Sequence, residues 1–532
     1  MKRIVSLVLA LAMVLSLCIF TTASADDGFV DGKFTETRHI TVEVYNRYND
    51  GGSDPTSSVY AQYIKQGMLD KYNVDVELVS VGRWTEVDDL NNLLATGDAP
   101  DVCVTYSYPT IQTFAGMGGI IDLNPLLTEY KDLLPDLWAL LGDYNIYYDQ
   151  DPETGSVWAI EAVLAESARI NTFIRKDWLD KLGLKLPTTE EEFHNCLIAF
   201  RDNAELLLGA DAAKMVPFSI STDIADLLNV SKVPEDVSDE TLYVYGYDDR
   251  HLLYPNYKEG IRVLNQWYNE GLIWKDFALY TDASVEDDMM KSGFVGAFIH
   301  NWDYPYRNGE DSIQANLTRA NGADAGFIAV DCFQNDAGIT RKYLADRIDR
   351  KVFFPATNDE PLASLLYLNF ISSEETIKFL QTGKEGVTYK MTDNGAYEML
   401  NATGEWIMNS GMNIDHTITV NGLYLGDATA ATKALSYPGV NPDFIITANT
   451  YGKLNGRIVK KFSCGAISAE EDVGTSLNSK RDAMLTQAVV APVDQFDSVY
   501  DKGMADYLAS GGQNIIDERR EKLEAIYGVH VD

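Results

Sequence analysis

Between Ile40 and Val104 the hydrophobic pattern of the chain switches period four times, and few folds allow that. Ile40, Val42 and Val44 alternate with polar neighbours, as the side chains of a half-buried strand do, and Val74, Val76 and Leu78 repeat the pattern. A helix is expected between them, capped by Thr56 or Ser57 and running to about Tyr72. A second helix carries Leu90, Leu93 and Leu94 and stops at Gly97. Asp98-Ala99-Pro100-Asp101 then turns the chain into a third strand, Val102 to Val104. Strand–helix–strand–helix–strand with turns this short implies a parallel sheet. In such sheets the loops at the carboxyl ends of the strands face the ligand crevice, which here singles out Tyr45 to Gly52, Val81 to Thr85 and Tyr106 to Pro109.

One sheet does not use up the chain. Its 532 residues exceed a single ordinary core, and 46% hydrophobic content with 11% aromatics marks a globular protein. Lys2-Arg3, the apolar run Ile4 to Phe20 and then Ala23-Ser24-Ala25 have the three parts of a secretory signal peptide, so residues 1–25 are expected to be removed. An uncleaved anchor is the rival reading, and the small-x-small site favours cleavage. Lipidation at Cys18 is a second rival, disfavoured by Leu17, which stands where a lipoprotein signal has Gly or Ala. No later stretch is long and apolar enough to span a bilayer. The formal net charge of −37 repels nucleic acid and anionic membranes alike. Cys103, Cys196, Cys332 and Cys464 are widely spaced with no C-x-x-C, which points to buried thiols rather than zinc ligands or a disulfide framework.

A second unit begins after Gly155–Phe193. A polar turn ends at Gly155, an extended run with Glu161, Glu166 and Arg169 embedded in it follows, and then a helix. Further on, Tyr257 to Asn269 puts Ile261, Leu264 and Trp267 on one helical face. Gly293 to Ile299 reads as a buried strand and Phe327 to Val330 as another. Val352-Phe353-Phe354, a helix with Leu365, Leu366 and Phe370, and a terminal helix Asn514 to Tyr527 complete the pattern, with no internal repeat.

Four stretches in order carry a family resemblance: Leu94-Ala95-Thr96-Gly97-Asp98-Ala99-Pro100-Asp101-Val102, Gly119-Ile120-Ile121-Asp122-Leu123-Asn124-Pro125-Leu126, Ile174 to Gly183 continuing to Pro187-Thr188-Thr189, and Tyr257-Lys258-Glu259-Gly260 through Glu270-Gly271-Leu272-Ile273. Glu385 to Tyr389 adds a weaker fifth. The chain resembles the extracellular solute-binding proteins (family 1 type) of carbohydrate ABC transporters, and more narrowly the long oligosaccharide-binding members of Gram-positive bacteria. The resemblance implies an α/β, two-lobed type II periplasmic-binding fold with three interlobe crossings and a helical C-terminal region. Residues 26–160 with 301–352 would form the N-lobe, and 161–300 with 353–532 the C-lobe. The crossings would lie near Glu161 to Ala168, Ile299 to Trp302 and Val352 to Ala356. Many long members carry a calcium loop in the second lobe. Here Asp202-Asn203 is followed by Ala204 to Ala213 without alternating oxygen ligands, so no calcium is expected there.

A sugar site wants aromatic faces mixed with groups for bidentate hydrogen bonds. Tyr48, with Tyr45 and Asn46, follows the first strand, and Trp84 follows the second, where a surface loop has little structural use for tryptophan. Tyr106 and Tyr108 follow the third; they share a side if the strand persists, and otherwise one of them packs. Trp302, Asp303 and Tyr304 form the densest cluster, read either as a ligand platform or as a core cap. Glu161 and Arg169 either face the cleft or pair with each other. Trp178, Trp267 and Trp274 are assigned to packing. No H-E-x-x-H, G-x-S-x-G or phosphate loop is present and the histidines are scattered, so neither catalytic residues, metal nor cofactor is expected.

The expected function is extracellular capture of an oligosaccharide by hinged closure and delivery to ABC permease subunits, by a monomer that is secreted or held at the cell surface. A secreted glycoside hydrolase built on Glu161 and Asp303, or a sensory partner presenting ligand to a membrane receptor, are the alternatives. The acidity leans the ligand toward a neutral glycan.

Overall fold

The computed structural model describes residues 28–531 except 49–53, 153, 221–225, 247–250, 280–283, 308–310, 335–337, 340, 345, 392–396, 401, 408–414, 426–441, 461, 463 and 466. The expected signal peptide and Cys18 lie outside the described residues. Among the described residues no helix is long and apolar enough to cross a membrane.

The elements that position the site begin with β1 (Arg38–Asn46), α1 (Val59–Tyr72), β2 (Val74–Gly82), α2 (Glu86–Thr96) and β3 (Cys103–Thr105). They continue through α3 (Tyr108–Gly116), α4 (Pro135–Ile146), β4 (Ile160–Leu164), β5 (Ile170–Arg175), β6 (Val216–Ser219), α5 (Tyr257–Asn269), β7 (Val295–Asn301) and β8 (Phe327–Val330). After these come β9 (Lys342–Leu344), β10 (Ile348–Phe353), α6 (Pro361–Ile371), β11 (Val420–Asn421), α7 (Pro442–Lys453), β12 (Gly456–Ile458) and α8 (Ser468–Val490). Ser58, one residue beyond the expected cap, accepts a hydrogen bond from the Ala61 amide to start α1, and Asn73 closes it in the left-handed conformation. Gly97, at φ 77°, ends α2, a conformation that a side chain would strain.

The first sheet runs β2–β1–β3–β10–β4–β11. β1 is parallel to β2 and joins β3 through the parallel Val42–Val102 bridge, so the period switches are answered by the parallel arrangement they imply. β10 is antiparallel to both β3 and β4. Its core includes Val42, Ile64, Val76, Leu137, Ile160, Phe354 and Leu366. α6 is buried on every side from Ala363 to Ile371. The second sheet runs β8–β5–β7–β6, and its core joins Trp178, Phe193, Phe218 and Trp267 to Leu477 and Leu485 of α8 and to Tyr500 and Ile515. Trp178 and Trp267 are packing residues, as expected.

The lobe boundaries differ from the expected ones in two places. Phe327–Val330 pairs with β5, so the chain on either side of residue 313 stays in the second lobe rather than returning to the first. α6 and Ile377 pack in the first lobe's core rather than in the second. The reason is pairing distance: Phe327 opposes Arg175, and no local pattern records a partner that far away. The passage between sheets lies at residues 165–169, between β4 and β5. The chain passes again between β9, which pairs with β12, and β10, and between β11 and α7. Ile299 to Trp302 instead ends a second-lobe strand, and Val352 lies inside a first-lobe strand. Ala204–Leu208 is a short helix, and Asp202 accepts a bond from Arg201 at 2.8 Å. Cys103, Cys196, Cys332 and Cys464 are free and buried.

Candidate ligand-binding site

Strand direction gathers one set of loops on one edge. β1, β2 and β3 are parallel, and β4 is parallel to β3 because both are antiparallel to β10. Their carboxyl ends therefore share an edge with the start of β10 and with the crossing at 165–169. In the second sheet Ile170 at the start of β5 opposes Asn301 at the end of β7, so the crossing meets that edge too. The crevice of an open α/β sheet lies at such an edge.

On the first lobe this edge carries two bare aromatics. Tyr48 is 77% exposed and Trp84 is 72% exposed. Tyr48 takes a left-handed φ of 58°, held where Asn46 Oδ1 accepts its amide at 2.9 Å. The Tyr48 hydroxyl reaches back over the end of β2, 3.5 Å from where a side chain on Gly82 would begin. Between the two aromatics and the core lies Arg83. Its guanidinium stands 3.9 Å over the Tyr106 ring and 5.1 Å from Trp84, and it donates to Glu86 at 2.8 Å. The other Glu86 oxygen accepts from Thr105 Oγ1 at 3.0 Å and from the Tyr106 amide at 2.8 Å, which fixes the carboxylate. Tyr45 stacks on Tyr106 at 6.0 Å and donates to Val104 O, closing the core beneath.

Charges converge around Tyr106. Burial pushes its phenol up, while Arg350 and then Arg83 and Arg47 pull it down and Asp349 adds to the rise. Arg47 donates two bonds to Asp415, at 2.7 and 2.9 Å, and Arg350 lies 3.7 Å from the same carboxylate. Burial opposes the charge on Arg47, but Asp415 outweighs it and holds the guanidinium above its usual value. Arg350 also donates to the Thr417 and Val420 carbonyls, which fastens the segment before β11 to the sheet.

The other expected residues sit elsewhere. Tyr108 does not share a strand face with Tyr106: β3 ends at Thr105, Ser107 caps α3, and Tyr108 packs against Ile111 and Phe114. Glu161 is 1% exposed inside β4, opposite Lys351, whose Nζ lies 3.3 Å away. Burial pushes its carboxyl well above the usual range, Asp149 pushes further and Lys351 opposes. It pairs with Lys351, not with Arg169, which is exposed in the crossing and accepts the Trp302 amide at its carbonyl. Trp302 is 8% exposed and packed with Phe173, Tyr306 and Ala448, so the core-cap reading holds. Asp303 accepts from Arg307, and Tyr304 donates to Asp287 at 2.8 Å while stacking on His300 at 3.4 Å. Burial, with Arg307, lowers His300 to about 4, so its ring is neutral near pH 7.

Sequence reading missed Arg83, Arg47, Asp415 and Arg350 as site groups. Arg83 had a signal, standing beside Trp84 in a post-strand loop; Asp415 had none, because its partners Arg47 and Arg350 lie far from it in sequence. Among the described residues no group of three or more metal-type ligands gathers.

No family model matches the chain. It is 23% identical over 338 residues to the lipoprotein LipO of Bacillus subtilis (strain 168), covering 61% of this chain and 64% of LipO, so the match spans less than two thirds of that relative. It is 20% identical over 469 residues to the polygalacturonan/rhamnogalacturonan-binding protein YtcQ of the same organism, covering 85% of this chain and 86% of YtcQ. The ABC-transporter substrate binding protein FusA of S. pneumoniae, solved in complex with kestose, superposes with a TM-score of 0.64 at 14% identity, covering 92% of this chain and 100% of FusA.

Proposed function

We propose that this chain, a member of the solute-binding proteins of carbohydrate ABC transporters by its fold and its sequence relatives, captures an oligosaccharide outside the cell and delivers it to permease subunits. One observation carries the reading: Trp84 and Tyr48 stand bare at the edge where both sheets meet the crossing, above a guanidinium stacked on Tyr106. Such rings suit the C–H faces of pyranose and furanose units, and Arg83, Asn46 and nearby carboxylates suit their hydroxyls. FusA in complex with kestose and YtcQ, named for binding polygalacturonan and rhamnogalacturonan, are relatives of this kind. Closure of the lobes about residues 165–169 would bury the bound sugar. Export through residues 1–25 belongs to the same reading, as does action as a monomer.

Binding without catalysis is favoured by the state of the two carboxylates a hydrolase reading would use. Glu161 is buried against Lys351, and Asp303 is engaged by Arg307. Isothermal titration of the mature chain with a panel of oligosaccharides tests the reading, with reducing-sugar release followed in parallel. Saturable binding with the sugar recovered intact is expected. Absence of binding across the panel, or sustained release of reducing ends, would overturn it.

A further inference from the structure

We infer that the site selects uncharged glycans over uronate-containing ones, and that Glu86 is the residue that sets this preference by holding Arg83. The inference rests on the oligosaccharide-binding reading above and adds the class of sugar.

A protein that binds a uronate offers a guanidinium fork or an ammonium whose charge is not already answered. The arginines around Tyr106 do not meet that requirement. Arg83 has its face on the Tyr106 ring and a donor on Glu86 at 2.8 Å. Arg47 has its Nε and Nη2 edge, the one that would grip a carboxylate, on Asp415. Arg350 is fully buried beside the same Asp415. Glu86 cannot swing away cheaply, since its second oxygen already accepts from Thr105 and the Tyr106 amide. Behind it Glu43 is buried and accepts from the Val104 amide. A uronate arriving over Trp84 would meet an Arg83 whose charge Glu86 already answers, and would do so in the field of a chain of net charge −37. A neutral sugar meets neither obstacle. Its hydroxyls can donate to carboxylate oxygens, which only accept, and can accept from the donors that Arg83 has left.

The test titrates the mature chain with maltotetraose, cellotetraose, xylotetraose, mannotetraose, nystose and tetragalacturonate at low ionic strength. The best neutral ligand is expected to bind about tenfold or more tighter than tetragalacturonate, with a Kd that is flat as salt rises from about 20 to about 300 mM. In a Glu86→Gln variant, which keeps an acceptor for Thr105 but leaves the Arg83 charge unanswered, tetragalacturonate binding should strengthen about tenfold. Tighter binding of tetragalacturonate than of every neutral sugar by the unaltered chain would overturn the inference while leaving the binding reading intact. So would a folded Glu86→Gln chain with unchanged preference. Failure of every sugar to bind overturns both. If the variant does not fold, the comparison on the unaltered chain decides.

Discussion

Two tryptophans singled out by the sequence for the same task differ sharply in burial. Trp84 is bare at the edge of the first sheet, whereas Trp302 fills a core between β7 and α7. Trp84→Ala should leave unfolding within about 0.5 kcal/mol of the parent, as surface changes do, and weaken glycan binding about tenfold. Trp302→Ala should cost about 3–5 kcal/mol of stability, read in a urea melt, and any loss of binding there should follow the loss of fold. Glu286 gives a pH-dependent expectation. Burial lifts its carboxyl from 4.5 to about 7, opposed by a bond from Ser219 and aided by Asp287. The folded chain therefore holds that proton more tightly than the unfolded one. Stability from this site is full below 4.5 and is lost as the pH climbs toward about 7, a change of about 3 kcal/mol at most. Glu286→Gln should remove that slope, so the variant's melting temperature should gain on the parent's between about pH 4 and pH 8. A constant difference across that range would count against it.

At the scale of elements, the crossing at 165–169 is tied to one helix. Glu166 accepts from Asn449 at 2.6 Å and from Lys453 at 2.8 Å, both on α7, and caps the Ala168 amide at 3.0 Å. The helix approaches so closely that a side-chain carbon on Gly452 would lie 2.8 Å from Ala168 Cβ and 3.2 Å from Trp302 Cβ. Gly452→Ala should therefore push α7 off the crossing and cost about 1–3 kcal/mol, with faster hydrogen exchange at 165–169 and in α7 but not in β1. Unchanged exchange there would show that the contact yields without strain. The elements themselves were largely legible. β1, β2 and the helix Tyr257–Asn269 follow from period, because their burial repeats along the chain, and the strand Phe327–Val330 follows from its unbroken apolar run. Their assembly was not. Lys351 across from Glu161 and α6 in the first lobe depend on partners far away in sequence. The aromatic candidates were half legible: position after a strand put Tyr48 and Trp84 at an exposed edge, but nothing local says that Tyr106 lies under Arg83, that Tyr108 opens a helix or that Trp302 is buried.

For the whole molecule, a net charge of −37 spreads mutual repulsion over a surface whose ion pairs, where exposed, contribute little. Raising sodium chloride from about 10 to about 200 mM, where the screening length falls to about 7 Å, should raise the melting temperature by several degrees. A fall would mean that the ion pairs outweigh the repulsion. The topology also fixes an order of assembly. β10 is inserted between β3 and β4, so the first lobe cannot join the two halves of its sheet until Phe353 is available, after the second lobe's sheet has been supplied in full. Contacts this distant close slowly. A chain emerging amino end first would thus hold two half-sheets open, with β3 and β4 unpaired at facing edges, through the arrival of the second lobe's sheet. That interval is when it is most open to a chaperone, or to wrong pairing with another copy of itself.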